Sequence, residues 1–260
     1  MKVAPFSEGA VRIVTYPSAD FSRDLNKFLR GRSLDLDDPL IAKVIPYCVV
    51  VENQSDHGLS GLVAIYDFET PRGNRAHVSI FLLNQNSNHP EQNFAVGDVS
   101  LIAPVPMLAT SIQRLGGPQS WPSSDRSFIE DEVAEFVKNQ NISLSIDSII
   151  DENARLVGPD RAQTLLRLNA KSDAEQQLIN QVAATLSSVG ASAAISELKA
   201  VASGDPGDPE IASKFLYQRA QIQLARLLLG ASNGSVGLPD VLKRFGSMQR
   251  LHVTRKVELK

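Results

Sequence analysis

Hydrophobic residues in the first 160 positions recur with the short period that is typical of β-strands. The strongest signal comes from three consecutive runs that are rich in β-branched and aromatic residues: 47–52, 59–68 and 76–83. Turn-forming residues separate these runs at 53–58 and 71–74. We therefore predict three strands joined by tight turns. Because the second and third runs are apolar on both faces, we expect both to lie inside a sheet.

Further strands and two short helices are predicted in the same part of the chain. Ser18 is a candidate N-cap for a helix over 19–30, and Ser127 with Glu130 matches a capping box for a helix over 127–138. The remaining strands are predicted over 11–16, 94–102, 142–150 and 156–157.

The composition changes after Asp160, where Ala, Leu, Gln and Glu replace the β-branched residues and indicate helices. Asp160, the Ser172–Glu175 capping box and Asp208 are the candidate starts of three of them. The predicted helices cover 161–168, 173–189, 193–202, 209–229 and 238–245, and the alternating residues 251–259 predict a final strand at a sheet edge. The apolar stripe of 211–229 is expected to pack against 173–189.

These patterns predict an α+β protein. Residues 1–160 are expected to form an antiparallel immunoglobulin-like β-sandwich with inserted short helices. Residues 161–260 are expected to form a small helical region with a C-terminal strand. Two arrangements stay open at this point, since the helices can form a separate bundle or cover one face of the sandwich.

Two segments resemble immunoglobulin- or fibronectin-type β-sandwiches of uncharacterised bacterial proteins. They are 49–56, followed by Leu59, Tyr66 and Gly73, and 142–150, followed by 156–160. The resemblance covers about residues 40–160. It departs from the antibody pattern, since Cys48 is the only cysteine and Trp121 lies in a predicted loop. It implies an architecture and carries no reaction or ligand with it.

Composition narrows the classes of partner. The 260 residues are 43% hydrophobic and 21% charged, which is typical of a globular protein. The formal net charge of −3 gives no basic footprint for nucleic acid, so no nucleic-acid partner is expected. No apolar run reaches the roughly 20 residues of a membrane span. The first residues lack the apolar core of a signal peptide, and the compartment stays open: cytoplasmic for the sequence as written, or exported if a signal peptide was removed upstream.

Residues with catalytic or metal-binding chemistry are scattered. The four histidines, His57, His77, His89 and His252, have no metal-site spacing, and no cofactor is predicted. The acidic clusters at 35–38, 151–152 and 205–208 suggest calcium binding in sandwich loops, but Asp also starts turns and caps helices, which we favour. Cys48 is expected to be buried, and Trp121 to pack its own loop rather than face a ligand.

The leading functional hypothesis is a non-catalytic binding or interaction protein built on a β-sandwich. Its partner is expected to be another protein, or a second copy of the chain, contacted by the loops at 84–92 and 116–126 or by the helical region. The alternative is a hydrolase with a loop-borne active site that uses a serine with His57 or His89. A third possibility is a structural subunit that oligomerises through 251–259.

Overall fold

We describe the protein from a computed structural model, which describes residues 1–6, 9–83, 94–206, 212–232, 237–247 and 253–255. The described residues form two compact units. The first comprises 1–83, 94–153 and 157–162, and the second comprises 154–156 and the residues from 163 onward.

The first unit contains most of the strands and four helices. The strands are β1 (Lys2–Val3), β2 (Val11–Thr15), β3 (Val49–Asn53), β4 (Leu59–Glu69), β5 (Arg75–Leu83), β6 (Val99–Ile102) and β7 (Gln140–Asp151). The helices are α1 (Ala19–Leu29), α2 (Pro39–Val44), α3 (Pro106–Leu115) and α4 (Ser123–Phe136). The fold is therefore α+β, and helices are not confined to a C-terminal region.

The strands form two sheets. One has the order β2–β3–β6 and is antiparallel. The other contains β5–β4–β7 in antiparallel order, and β1 joins β7 in parallel, so this sheet is mixed. The three central strand predictions are confirmed as strands, whereas β6 is shorter than its predicted range and only Phe94 adds a bridge, to Leu59.

The tight turn predicted at 53–58 does not join β3 and β4 as neighbours in one sheet. β3 pairs with β2 and β6, and β4 pairs with β5 and β7, so the chain passes from one sheet to the other between them. Asn53 organises this crossing. Its fully buried amide donates to the carbonyl oxygens of His57 (3.0 Å) and Phe94 (2.7 Å), and it accepts from the backbone N–H of Ser55 (3.0 Å).

Two hydrophobic cores lie on either side of the three-stranded sheet. The core between the sheets includes Val51 and Ile102 from one sheet and Leu62, Tyr66 and Leu144 from the other. The opposite face of the three-stranded sheet is covered by α1–α4, whose buried residues include Phe21, Ile41, Leu108 and Ile129. Two sheets thus share a core, but an immunoglobulin-type sandwich is not confirmed.

A β-bulge in β7 sets the position of residues 161–162. Ile146 pairs with Ala64 and Ser148 pairs with Val63, so Asp147 is the extra residue between them. Its fully buried carboxylate accepts hydrogen bonds from the backbone N–H groups of Arg161 and Ala162, both at 3.0 Å. A side chain on the β7 bulge therefore fixes the end of the first unit against its own sheet.

Several helix boundaries differ from the predicted ones. The Ser18 cap of α1 is confirmed, since its hydroxyl accepts from the N–H of Phe21 at 3.1 Å. The Ser127 capping box is wrong because α4 begins one turn earlier, directly after Pro122. Phe128, next to the predicted cap, lies inside α4 and is 49% exposed.

The second unit contains α5 (Thr164–Ser188), α6 (Ala191–Ala202), α7 (Ala212–Ser232) and α8 (Leu238–Gly246). The caps predicted at Asp160 and Ser172 are wrong, since α5 begins at Thr164 and continues through Ser172 without a break. The expected seam between α5 and α7 is confirmed by a shared core that includes Val182, Leu198, Ala225 and Leu228.

Two further strands are short. β8 (Arg155–Val157) pairs in parallel with β9 (Thr254–Arg255) through Arg155 and Leu156. Of the predicted strand at 251–259, Val253 is also described, and it is buried; the remaining positions lie outside the described residues. The predicted Asp208 cap lies outside them as well.

Candidate protein-interaction edge

The hairpin of β4 and β5 is closed by a turn that the sequence predicts. Thr70 donates its N–H to the carbonyl of Asn74 at 2.8 Å, and Gly73 donates to the carbonyl of Thr70 at 2.8 Å. Pro71 suits the first central position of such a turn, and Gly73 has the positive φ of 79° that its bulge position requires. The turn fixes the register of the whole hairpin.

The register determines which backbone groups of β5 point away from β4. Thr70 and Asn74 form a hydrogen-bonded pair, and paired residues alternate between hydrogen-bonded and non-hydrogen-bonded positions along an antiparallel ladder. Alternate residues of β5 therefore bond to β4: Ala76, Val78, Ile80 and Leu82. The others direct both their N–H and their C=O groups to the far side: Arg75, His77, Ser79, Phe81 and Leu83.

These outward groups form an open sheet edge. The sheet order ends at β5, and among the described residues no hydrogen bond reaches the outward N–H or C=O groups of its nine residues. Several of the usual protections of an edge strand are missing from β5. It contains no proline or lysine, its only permanently charged residue is Arg75 at its start, and its pairing with β4 has no register shift, whereas the pairing of β4 with β7 has three.

The side chains of β5 hold the strand in place from both faces of the sheet. Val78, Ile80 and Leu82 belong to the core between the two sheets. On the opposite face, Phe81 packs against the cluster of Val63, Ile65 and Ala162. β5 is therefore packed on both faces, and its outward backbone groups are in the extended geometry that an added strand needs.

The structure does not bring the histidines together in the part of the chain that it describes. His57 lies in the crossing loop, where its Nδ1 contacts the carboxylate of Asp56. His77 lies on β5 with its side chain exposed. His89 and His252 lie outside the described residues.

The acidic clusters have local structural roles where they are described. Asp38 caps α2 by accepting from the N–H groups of Leu40 (2.9 Å) and Ile41 (3.4 Å), and Asp151 accepts from the N–H of Asn153 at 2.8 Å. Among the described residues, no group of three or more His, Cys, Asp or Glu side chains is placed to hold a metal ion. No helix in the described part of the chain has the length and apolar character that crossing a membrane requires.

Cys48 and Trp121 are both packed inside the first unit, as predicted. Cys48 is buried, and burial raises the pKa of its thiol well above the ordinary value. Trp121 donates its indole N–H to the carbonyl of Gly116 at 2.9 Å and belongs to the core under the helices. Neither residue is placed to bind a ligand at the surface.

The densest cluster of charges surrounds Asp24 on α1, a carboxylate with no exposed surface. Arg23 Nε binds it at 2.9 Å, Lys27 Nζ lies at 3.5 Å, and Arg12 on β2 reaches across to it. Arg12 also binds Glu52 on β3 at 2.7 Å. Because cations and carboxylates pair throughout this cluster, we assign it to joining α1 to the three-stranded sheet.

Asp24→Asn is expected to destabilise the first unit by about 2 kcal/mol, since charge-assisted hydrogen bonds are worth about 1.5–3 kcal/mol. The hydrogen bond from Arg23, followed by that from Arg12, holds the pKa of Asp24 below its ordinary value of 3.8 against the opposing effect of burial. Its stabilisation is therefore fully present above pH 3.8 and is lost as the pH falls below that value. Urea unfolding measured at pH 7 and at pH 3 checks both statements.

The matched control is Asp20→Asn, which removes a carboxylate of the same cluster that is 53% exposed. Because exposed ion pairs contribute about 0–1 kcal/mol, this variant should lie close to the wild type. Equal loss of stability in both variants would show that burial of Asp24 is not what makes it important.

The open edge of β5 is the feature that sequence reasoning missed. The run 76–83 was expected to lie inside a sheet because both of its faces are apolar, and the structure shows this expectation to be wrong. The only sequence signals of an edge are Arg75 and His77 at the start of the strand.

Comparison with protein-family models, with curated proteins and with solved structures finds no match to this chain.

Proposed function

We propose that this protein is a non-catalytic interaction module that binds another polypeptide by strand addition to the open edge of β5. The observation that carries the proposal is the set of outward N–H and C=O groups on five alternate residues, from Arg75 to Leu83, without a described partner. Strand addition is a general mode of protein recognition in which the backbone supplies affinity and alternate side chains supply specificity.

The backbone groups and side chains of β5 indicate what kind of segment it would bind. Each backbone hydrogen bond to an added strand contributes about 0.5–1.5 kcal/mol net. Side chains of the added strand would lie beside Val78 and Leu82 on one face of the sheet and beside Phe81 on the other, and all three are half-buried. An extended segment with apolar residues on both faces satisfies these contacts.

The proposal includes the architecture of the first unit, which we propose to be related to immunoglobulin- or fibronectin-type domains. An immunoglobulin- or fibronectin-type relationship of the first unit is supported by two sheets that share one core, and strand addition at a sheet edge is compatible with such a scaffold.

We do not propose the hydrolase alternative. In the described residues the hydroxyl of Ser55 bonds to Asn53 Oδ1 (2.6 Å) and to the carbonyl of His57 (2.7 Å), and no bond joins it to the imidazole.

Amide hydrogen exchange of the full chain, resolved by residue, tests strand addition. The probe is an alternating threonine–valine nonapeptide with a lysine at each end. At a protein concentration low enough for the chain to be monomeric, we expect the peptide to slow exchange at the outward amides of His77, Ser79 and Phe81 at least tenfold. The amides of Val78 and Ile80 already bond to β4 and serve as the internal control, because their exchange should not change.

Two variants complete the experiment. Ser79→Ala keeps the outward N–H and should respond as the wild type does. Ser79→Pro removes this N–H and places a ring in the path of an added strand, so the protection should disappear. If the outward amides of the wild type exchange at unprotected rates under every condition, the edge accepts no strand and the proposed function is wrong.

A further inference from the structure

We infer that the strand added to β5 is β5 of a second copy of this chain, antiparallel to the first and related to it by a twofold axis at Ser79. The inference rests on the proposed function and specifies its partner. It makes the protein a homodimer with a sheet that continues from one subunit into the other.

β5 is the open edge best suited to this pairing. It has nine residues in regular register, whereas the edge strands of the other sheet, β2 and β6, have five and four. The side chain of Arg12 on β2 is also committed to the ion pairs around Asp24. A longer edge offers more backbone hydrogen bonds, so association should be most favourable at β5.

The twofold register uses every outward group of the strand. Ser79 is the middle residue of β5 and points its N–H and C=O outward, so an axis at Ser79 places outward residues opposite outward residues. Such positions are the hydrogen-bonded pairs of an antiparallel ladder. The pairs are Ser79 with the partner's Ser79, His77 with the partner's Phe81, and Arg75 with the partner's Leu83.

Charge favours the antiparallel direction over the parallel one. The basic side chains of β5 lie at its start and its second half is apolar. Parallel pairing in register would place Arg75 beside the partner's Arg75, and like charges directly opposite each other are destabilising. In the antiparallel register the basic end of each strand meets the apolar end of the other.

The faces of the sheet also match across the axis. Val78 would lie opposite the partner's Ile80, and Ala76 opposite the partner's Leu82. In each subunit these aliphatic side chains face the core between the two sheets, which includes Val78, Ile80 and Leu82. Pairing would therefore remove more of the half-buried Val78 and Leu82 from water, which is favourable in proportion to the apolar area covered.

Disulfide trapping of the full chain tests the register. In Ser79→Cys the two new thiols would meet at hydrogen-bonded positions whose Cα atoms are about 5.5 Å apart, within the range of a disulfide. In Arg75→Cys the same pairing holds the thiols about 27 Å apart, at about 3.4 Å per residue. Mild oxidation should join most chains of the first variant and none of the second, while the native Cys48 is buried and should not react.

The mass of the unmodified chain in solution tests the dimer itself. Light scattering should give twice the chain mass of 28.2 kDa for the wild type and for Ser79→Ala, and the single chain mass for Ser79→Pro. A wild type that stays monomeric at every concentration, or equal trapping of both cysteine variants, overturns the inference.

The outcomes separate this inference from the proposed function. A monomeric wild type whose outward amides are still protected by the threonine–valine peptide retains strand addition and loses only the second copy as the partner. A dimer whose outward amides stay unprotected places the interface elsewhere and overturns the inference. A monomer without protection overturns both.

Discussion

Gly158→Ala is expected to destabilise the first unit by about 4 kcal/mol, above the usual range of about 0.5–3 kcal/mol for single substitutions. A Cβ at this position would lie 2.4 Å from the carbonyl oxygen of Asp147 and 3.0 Å from the Cα of Ser148, and both atoms are backbone of the bulged strand β7. The φ of 122° adds strain for any other residue. Relief would require β7 to shift and would disturb the hydrogen bonds from Asp147 to Arg161 and Ala162. Thermal and urea unfolding measure the loss.

Gly190→Ala is the matched control for backbone strain. Gly190 has a similar φ of 108°, but a Cβ there would meet nothing within 4 Å. We expect this variant to lose only about 1–2 kcal/mol, which is the usual range for a residue held in an unfavourable conformation. If the two substitutions were equally destabilising, strain alone would explain both, and the close approach of Gly158 to the bulge would have no separate role.

Ile80→Pro is expected to destabilise the first unit by at least about 3 kcal/mol. Ile80 lies at a position that bonds to Ala64 on β4, so proline removes a ladder hydrogen bond and its ring separates the strands. The substitution also disturbs a core in which Ile80 is only 4% exposed. The expected result is a large fall in the urea midpoint, or a chain that does not fold at all.

Ser79→Pro, one residue earlier, is expected to be far better tolerated, with a loss of about 1 kcal/mol. The N–H that it removes points away from β4, and proline is accepted on edge strands at such positions. Comparison of the two variants therefore measures the direction of the backbone groups along β5. A more destabilising Ser79→Pro would reverse the assignment of outward and inward residues.

Element types were predictable in this chain because they depend on local periodicity. The strands β4, β5 and β7 and the helices α1, α6 and α8 all follow from the spacing of their apolar residues. The starts of helices were less predictable. Ser127 and Ser172 each match the capping-box sequence, but that sequence occurs inside α4 and α5 and does not distinguish the interior of a helix from its start. Ser172 lies inside α5, whose residues Leu178, Ile179 and Val182 pack into the helical core, so the capping pattern there does not mark the start of a helix.

Pairing between strands could not be predicted, because side-chain periodicity reports the two faces of a strand and says nothing of its two edges. β4 and β5 both have apolar sequences, yet among the described strands β4 has a neighbour on each side and β5 has one. The crossing at Asn53 was hidden for a related reason. Asn, Ser, Asp and Gly predict a turn, but the burial of Asn53 depends on Phe94, about 40 residues away.

The pairing of β4 has a consequence for the order in which the chain folds during synthesis. β4 pairs with β5 across a five-residue turn, whereas β7, whose Gln140 pairs with Glu69 of β4, is synthesised much later. Local hairpins form within about 1–10 μs, whereas ribosomes add about 5–20 residues per second. The nascent hairpin therefore exposes both of its edges for several seconds, and in this period the chain is most vulnerable to aggregation and most dependent on chaperones.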